Sequence, residues 1–160
     1  MGGGYSGGLP IESLRTLEEK ARDALKRATD NHSPHVFISF AHEDIDLVNL
    51  LRGQAKNDNS TLQFDDHSVK QPFDSVNAEY VKAQIREKIA RASATIVFLS
   101  PHAATSRWVD WEIRETLRQG KKVLGIYQGA PPQVIPKVFS EMKLKVIPWS
   151  HEEITRSLRE

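Results

Sequence analysis

Short apolar runs alternate with helical patterns along most of this chain, and this alternation limits the folds that it can adopt. The runs HVFISF (35–40), TIVFLS (95–100) and VLGIY (123–127) are short and largely apolar. Strands of a parallel sheet have this composition when both faces of the sheet are covered. Strand and helix therefore alternate at the spacing of βα units, which predicts a doubly wound parallel sheet with helices on both faces.

The remaining elements complete a flavodoxin-like five-stranded sheet. LQFDD (62–66) predicts the second strand, and residues 143–147 predict the fifth. Helical spacing predicts helices over 45–56, 76–91, 106–119 and 149–158. Gly120 is placed to end the third of these helices. Ser150 is placed to cap the start of the last one.

The first 33 residues differ from the rest of the chain. MGGGYSGG (1–8) formally matches the dinucleotide-binding pattern G-x-G-x-x-G, but no strand can precede residue 2, so we interpret it as a flexible tail. Apolar residues at helical spacing then predict one amphipathic helix from Pro10 to about Thr29, additional to the fold. That helix either caps the following domain or mediates self-association. We therefore predict a tail and helix over 1–33 and a domain over 34–160.

The composition excludes several classes of protein. The 160 residues suit one domain, with 39% hydrophobic and 27% charged residues, as in a soluble globular protein. A net charge of +1 gives no electrostatic reason to expect a nucleic-acid or membrane partner. Cysteine is absent, which fits a reducing compartment, and no apolar run approaches the roughly 18 residues that span a bilayer. With no secretory signal in the sequence, we expect a cytoplasmic protein.

Familiar catalytic and binding motifs of such sheets are missing. The third strand lacks the phosphoacceptor aspartate of receiver domains, and the first is not followed by a phosphate loop like that of flavodoxins. Neither a P-loop nor a G-x-S-x-G nucleophile elbow occurs. The scattered histidines have no metal-ligand spacing. Ser39, Ser100 and Ser106 lie at strand or helix ends, where serine is commonly a cap.

The segment SRWVDWEI (106–113) holds the best candidate for a reactive side chain. Trp108 and Glu112 are four residues apart and share one face of a helix. This helix follows the third strand, so its first turns lie above the carboxyl edge of the sheet, where ligands bind in such folds. The alternative is structural: Trp108 is core, and Glu112 pairs with a cation such as Arg86 or Arg114.

Three segments in order resemble the TIR (Toll/interleukin-1 receptor) domain superfamily, and within it the bacterial proteins of Thoeris-type antiphage defence. HVFISFAHED (35–44) resembles the first TIR box, and LQFDDHSV (62–69) resembles the second strand with the start of its loop. Residues 78–113, from AEYVKAQI to SRWVDWEI, are similar to the stretch that carries the pattern I…I..S…IVVLS..Y..S.WC..EL. The resemblance covers about residues 35–127.

The resemblance implies an enzyme. In TIR enzymes the glutamate four residues after the tryptophan is catalytic, and it corresponds to Glu112. The implied reaction is cleavage of the nicotinamide–ribose bond of NAD, which is a substrate here, so no separate cofactor or metal is expected. Some bacterial relatives form a cyclic or conjugated ADP-ribose signal that activates a separate effector. Self-association through TIR surfaces is implied as well.

The resemblance also suggests contacts with the substrate. Trp108 would form the wall behind Glu112, and Phe40 would stack on the nicotinamide. Asp66 and the loop to Asp74 would form a mobile lid. The other predicted substrate-binding residues follow the first strand, end the third strand or begin the next helix: Ser39, Ala41, His42, Ser100 and Ser106.

A rival interpretation is weakened by one departure from the family pattern, but it is not excluded. The loop over 66–74 lacks the R-D-x-x-P-G form of receptor adaptors, which weakens an adaptor role, and Val109 stands in place of the usual cysteine, which removes no required chemistry. The rival is a non-catalytic TIR module that binds another TIR domain, and a third possibility is a sensor of small nucleotides without turnover. Glu112 distinguishes these interpretations, because only an enzyme depends on a carboxylate in the crevice at the carboxyl edge of the sheet.

Overall fold

The computed structural model describes residues 15–22, 35–57, 62–67 and 72–160. The chain divides into two units, Met1–Ser33 and Pro34–Glu160. In the first unit, residues 15–22 form a helix, α1, in which Leu17 is half exposed. The glycine-rich stretch at 1–8 and the remainder of the predicted amphipathic helix lie outside the described residues.

The second unit is built on one parallel sheet. Its strands are β1 (His35–Ser39), β2 (Gln63–Asp65), β3 (Ala94–Phe98), β4 (Lys122–Tyr127) and β5 (Lys145–Pro148). All neighbouring strands pair in parallel, in the order β2-β1-β3-β4-β5. This order confirms the predicted flavodoxin-like sheet. The direction of winding reverses between β1 and β3, and ligands bind at such a reversal in open α/β sheets.

Helices cover both faces of the sheet. They are α2 (Ile45–Asn57), α3 (Ala78–Arg91), α4 (Pro101–Thr105), α5 (Arg107–Arg118), α6 (Lys137–Glu141) and α7 (His151–Arg159). One apolar cluster joins α2 and α7 to one face, through Val48, Leu51 and Ile154. Two more clusters join α3, α5 and α6 to the other face. Among the described residues, no helix has the length and apolar character needed to cross a lipid bilayer.

Helical spacing in the sequence did not predict two five-residue helices, because neither is long enough to show a helical period. The first, α4, starts at Pro101, and the Ser100 hydroxyl caps it by accepting the Ala103 N–H at 3.1 Å. The second, α6, buries Phe139 against the middle of β4. A Cβ on Gly125 would lie only 2.6 Å from Cε1 of Phe139, so the close packing of α6 requires glycine there.

Helix α5 carries the candidate site. It follows β3, and its N-cap Ser106 accepts the Val109 N–H at 3.2 Å. Because β3 and β4 are parallel, α5 runs back from the carboxyl edge of the sheet toward the start of β4. Its inward face is buried and mixes apolar and polar side chains: Trp108, Val109, Glu112, Ile113, Glu115 and Thr116.

Candidate functional site

The Glu112 carboxyl group meets the sheet at the end of β1. Glu112 has no exposed surface, and its Oε1 accepts a hydrogen bond of 2.8 Å from the Ser39 hydroxyl. Ser39 is the last residue of β1, is itself fully buried, and lies opposite Val97 of β3. The carboxyl group is therefore fixed at the carboxyl edge, beside the point where the winding of the sheet reverses.

The two arginines that the structural alternative offered as partners bind other carboxylates. Arg86 Nε donates to Oε1 of Glu115 at 3.1 Å. Arg114 pairs with Asp110 at 3.0 Å and with Glu141 at 3.6 Å. Neither of these ion pairs explains why a carboxyl group faces the sheet at position 112.

Stability alone gives little reason for an acid at this position. Taking a carboxyl group out of water costs free energy that hydrogen bonds only partly offset. Val109 and Ile113, which flank Glu112 on the inward face of α5, are both fully buried and apolar. Replacing a buried acid by an apolar side chain of similar volume is often neutral or stabilising, so stability alone does not account for Glu112.

The paired tryptophans have different environments. Trp108 is 9% exposed and packs on the α3 side of the sheet together with Phe37. Its ring meets Phe73 edge-on at 5.0 Å and Trp111 edge-on at 6.1 Å. Trp111 is only partly buried, and Arg86 lies over its ring at 5.4 Å. Trp108 thus lies one helical turn from Glu112, and its role as the wall of a substrate site stays a prediction.

The structure places Phe40 away from Glu112. The ring is 3% exposed and packs with Val36 and Ile38 in the cluster on the α2 and α7 face. Ser39, the preceding residue, contacts Glu112 on the opposite face, as alternation along a strand requires. Stacking of Phe40 on a nicotinamide remains a prediction, and it requires the ring to leave this cluster. Ala41 is buried, whereas His42 is exposed at the start of a short 3-10 turn.

Ser100 and Ser106 both cap helices, as the structural alternative for strand-end serines expects. Ser100 caps α4 and also donates its hydroxyl hydrogen to the Asp44 carboxylate. Ser106 caps α5. The bond between Ser100 and Asp44 joins the segments that follow β3 and β1, directly at the reversal point. A ribose or phosphate contact by either serine remains a prediction.

Asp66 lies just beyond β2 and forms an ion pair with Arg52. Its backbone carbonyl also accepts a hydrogen bond from Lys88. Of the predicted lid, residues 68–71 lie outside the described residues. At its far end, Phe73 packs on Trp108 and Asp74 pairs with Arg107.

A cavity of about 470 Å³ lies on the other side of α5. Ser106 is the one predicted site residue that lines it, and Glu112 does not line it. Trp111, Arg107 and Arg114 contribute to its wall, together with residues of α4 and α6. The structure therefore separates Ser106 from Glu112. In the described part of the chain, no three acidic or histidine side chains converge as a metal site would require.

Sequence reasoning gave no role to Glu115, a second buried acid on α5. Its side chain is 3% exposed and accepts three hydrogen bonds from Arg118, at 2.6, 2.7 and 3.2 Å, and one from Arg86. The hydrogen bonds from Arg118 hold the pKa of the Glu115 carboxyl below its ordinary value. Glu115 is thus a paired structural acid, in contrast to Glu112, which is directed at the strand ends.

The five-stranded parallel sheet with helices on both faces is the fold of a TIR domain. A solved structure with this fold is the TIR domain of the Toll-related receptor TRR-2 from Hydra magnipapillata, at 19% identity and a TM-score of 0.55, over 78% of this chain and 98% of that one. The family model described as Thoeris protein ThsB, TIR-like domain, matches residues 37–132, more than half of the chain. The chain belongs to this family.

Two further solved structures align more loosely. The Clostridium botulinum CMP N-glycosidase BcmB aligns at 15% identity and a TM-score of 0.45, over 79% of this chain and 99% of that one. The TIR domains of the activated Roq1 resistosome align at 21% identity and a TM-score of 0.43, over 62% and 60%. Neither alignment is close enough to support an argument. No curated protein matches the sequence.

Proposed function

We propose that this chain is a TIR-like enzyme that cleaves the nicotinamide–ribose bond of NAD, with Glu112 as the catalytic residue. Membership of the ThsB TIR-like family supports the proposal. The observation that carries it is the contact between Glu112 and Ser39, because it holds a carboxyl group at the reversal point of the sheet.

One carboxylate suits this reaction. When the bond between the sugar carbon and the pyridine nitrogen breaks, its electron pair stays on nitrogen and nicotinamide leaves as a neutral molecule. No general acid is therefore needed to assist departure. The sugar carbon becomes positive, and a carboxylate beside the ribose stabilises that charge and holds the sugar hydroxyls. Water or another nucleophile then adds to the carbon and releases a proton.

Catalysis requires a change from the conformation described here, in which Glu112 has no exposed surface. The segments after β1 and β3 meet above the carboxyl edge through two contacts. Ser100 binds Asp44, and His102 Nδ1 lies 3.4 Å from the Glu43 carboxylate. We interpret this arrangement as a resting state, which opens when the protein is activated.

The product is proposed to act as a signal. A cyclic or conjugated ADP-ribose would leave this protein and activate a separate effector in antiphage defence. Self-association through TIR surfaces would accompany activation, and the protein would act in the cytoplasm. These parts of the proposal depend on family membership rather than on the geometry of the site.

A non-catalytic TIR interaction module is the second candidate. The complete burial of Glu112 favours it, because an acid that stays closed to solvent cannot meet a substrate. In that case the carboxyl group would serve only to join α5 to the end of β1.

Release of nicotinamide from NAD tests the two candidates. The purified full chain is assayed both in solution and concentrated on beads, where self-association is favoured. Glu112→Gln keeps the size of the side chain and removes its charge. Asp110→Asn is the matched control, since Asp110 lies on α5 but pairs with Arg114. The proposal expects release by the wild type and by Asp110→Asn only. Absence of release in both formats, or equal release by Glu112→Gln, would refute it.

A further inference from the structure

Four fully buried polar side chains lie between α5 and the sheet. They are Ser39, Thr95, Glu112 and Thr116, each with no exposed surface. The hydroxyls of Thr95 and Thr116 lie 2.7 Å apart, and Thr116 Oγ1 donates to the backbone carbonyl of Glu112 at 2.8 Å. The backbone at Glu112 is thus joined to β3 through the two threonines, while its side chain is joined to β1 through Ser39.

From this arrangement we infer that Ser39 is a positioning residue for catalysis: its hydroxyl holds the Glu112 carboxylate in the orientation that the reaction needs. The inference rests on the proposed function. It gives Ser39 a role through Glu112 in place of the expected substrate contact, because the Ser39 hydroxyl is directed at Oε1 of Glu112.

Fixing one carboxylate oxygen determines where the other points. A glutamate side chain rotates about three bonds, and the backbone anchor at Thr116 restricts none of them. The hydrogen bond from the Ser39 hydroxyl restricts rotation about the side-chain bonds of Glu112 nearest the carboxylate. Active sites need reacting groups held within about 0.5 Å, and a displacement of about 1 Å can reduce a rate roughly 100-fold. The 2.8 Å hydrogen bond between these two buried groups supplies this restriction.

Kinetics of four variants test the inference. Ser39→Ala removes the hydroxyl, and Ser39→Cys keeps nearly the same size with only a weak donor. Ser39→Thr retains the hydroxyl. Thr95→Val is the matched control, since it removes a buried hydroxyl from the same face of the sheet without touching the carboxylate. Thermal unfolding of each variant shows that it is folded, and Ser39→Cys replaces Ser39→Ala if the alanine variant is not.

We expect a selective loss of kcat. The alanine and cysteine variants should lose about 10- to 100-fold in kcat, the effect of one hydrogen bond to a charged group, with KM within about twofold of wild type. Ser39→Thr should restore most of the activity, and Thr95→Val should stay within about threefold of wild type. A purely structural serine would not produce this combination.

Three results would overturn the inference, and they have different meanings. Wild-type kcat in folded Ser39→Ala, with Glu112→Gln inactive, would remove Ser39 from the mechanism and leave the proposed function intact. A raised KM with unchanged kcat would make Ser39 a substrate contact instead. Failure of the wild-type chain to release nicotinamide, in solution and on beads, would overturn the proposed function and this inference together.

Discussion

Lys121 and Lys122 are neighbours in the sequence and bind the ends of helices on opposite faces of the sheet. Lys121 Nζ donates to the carbonyls of Ile89 and Ala92 at 2.8 and 2.6 Å, at the end of α3. Lys122 Nζ donates to the carbonyl of Ser157, near the end of α7, at 2.6 Å. The start of β4 thus places two positive charges where the helix dipoles are negative, and this ties both helical layers to one strand.

Replacing Lys121 should destabilise the fold. Lys121→Met keeps the apolar stem and removes the ammonium group, which leaves the last carbonyls of α3 without this donor. We expect the free energy of unfolding in urea to fall by about 1 to 3 kcal/mol. Lys137→Met is the control, because Lys137 is exposed on α6. Equal stability of the two variants would show that these hydrogen bonds contribute nothing net.

Glu115 should make the protein sensitive to acid. The pKa of its carboxyl is held below the ordinary value of 4.5, chiefly by hydrogen bonds from Arg118. A depressed folded-state pKa contributes stability that is present above about pH 4.5 and is lost as the pH falls through the folded value. Glu115→Gln should therefore be less stable than wild type at pH 7, and the difference should shrink as acid is added. Urea unfolding at several pH values measures this difference in stability. A difference that does not change with pH would contradict a lowered pKa for Glu115.

Replacing Gly125 by a larger residue should destabilise the fold. An alanine Cβ would lie 2.6 Å from Phe139 Cε1 and 2.9 Å from Leu99 Cδ1, so the core has to shift. We expect Gly125→Ala to lower the free energy of unfolding by about 1 to 3 kcal/mol, as overpacked cores do. Gly53→Ala, in α2, is the control, because nothing lies within 4 Å of its added Cβ. Thermal unfolding of the two variants tests this prediction, and an unchanged midpoint for Gly125→Ala would contradict the close packing of Gly125 on Phe139.

Replacing both Ser39 and Glu112 by apolar residues should abolish activity without lowering the stability of the fold. The double variant Ser39→Ala/Glu112→Met replaces both partners by apolar groups, so neither is left with a buried unsatisfied atom. Such replacements are often neutral or stabilising. We expect unfolding free energy within about 1 kcal/mol of wild type, or above it, together with loss of NAD cleavage. A loss of several kcal/mol would instead identify Glu112 as a structural residue.

The sequence predicted the architecture because periodicity reports burial. The apolar runs of β1, β3 and β4 are buried on both faces, and this produces the continuous pattern from which a parallel sheet was predicted. The predicted cap at Ser150 is confirmed, because its hydroxyl accepts the Glu153 N–H at 3.3 Å. The short helices α4 and α6 were missed because five residues do not show a period.

The candidate site was predictable only in part. Spacing of four residues placed Trp108 and Glu112 on one helical face, and both are buried there. The partner of Glu112 was not predictable, because Ser39 is 73 residues away and only the register of α5 against β1 brings the two together. The sequence also could not predict which face of the sheet Phe40 occupies. One residue along a strand changes the face, and the sequence does not show which face the helix carrying Glu112 covers.

The rate of nicotinamide release by wild type relative to Glu112→Gln tests the central claim most directly. With NAD as substrate and the chain concentrated on beads, we expect wild type to exceed the variant by about 100-fold or more, as loss of a charge that stabilises the transition state produces. Equal rates for the two proteins, or no release by either, would contradict a catalytic carboxylate at position 112.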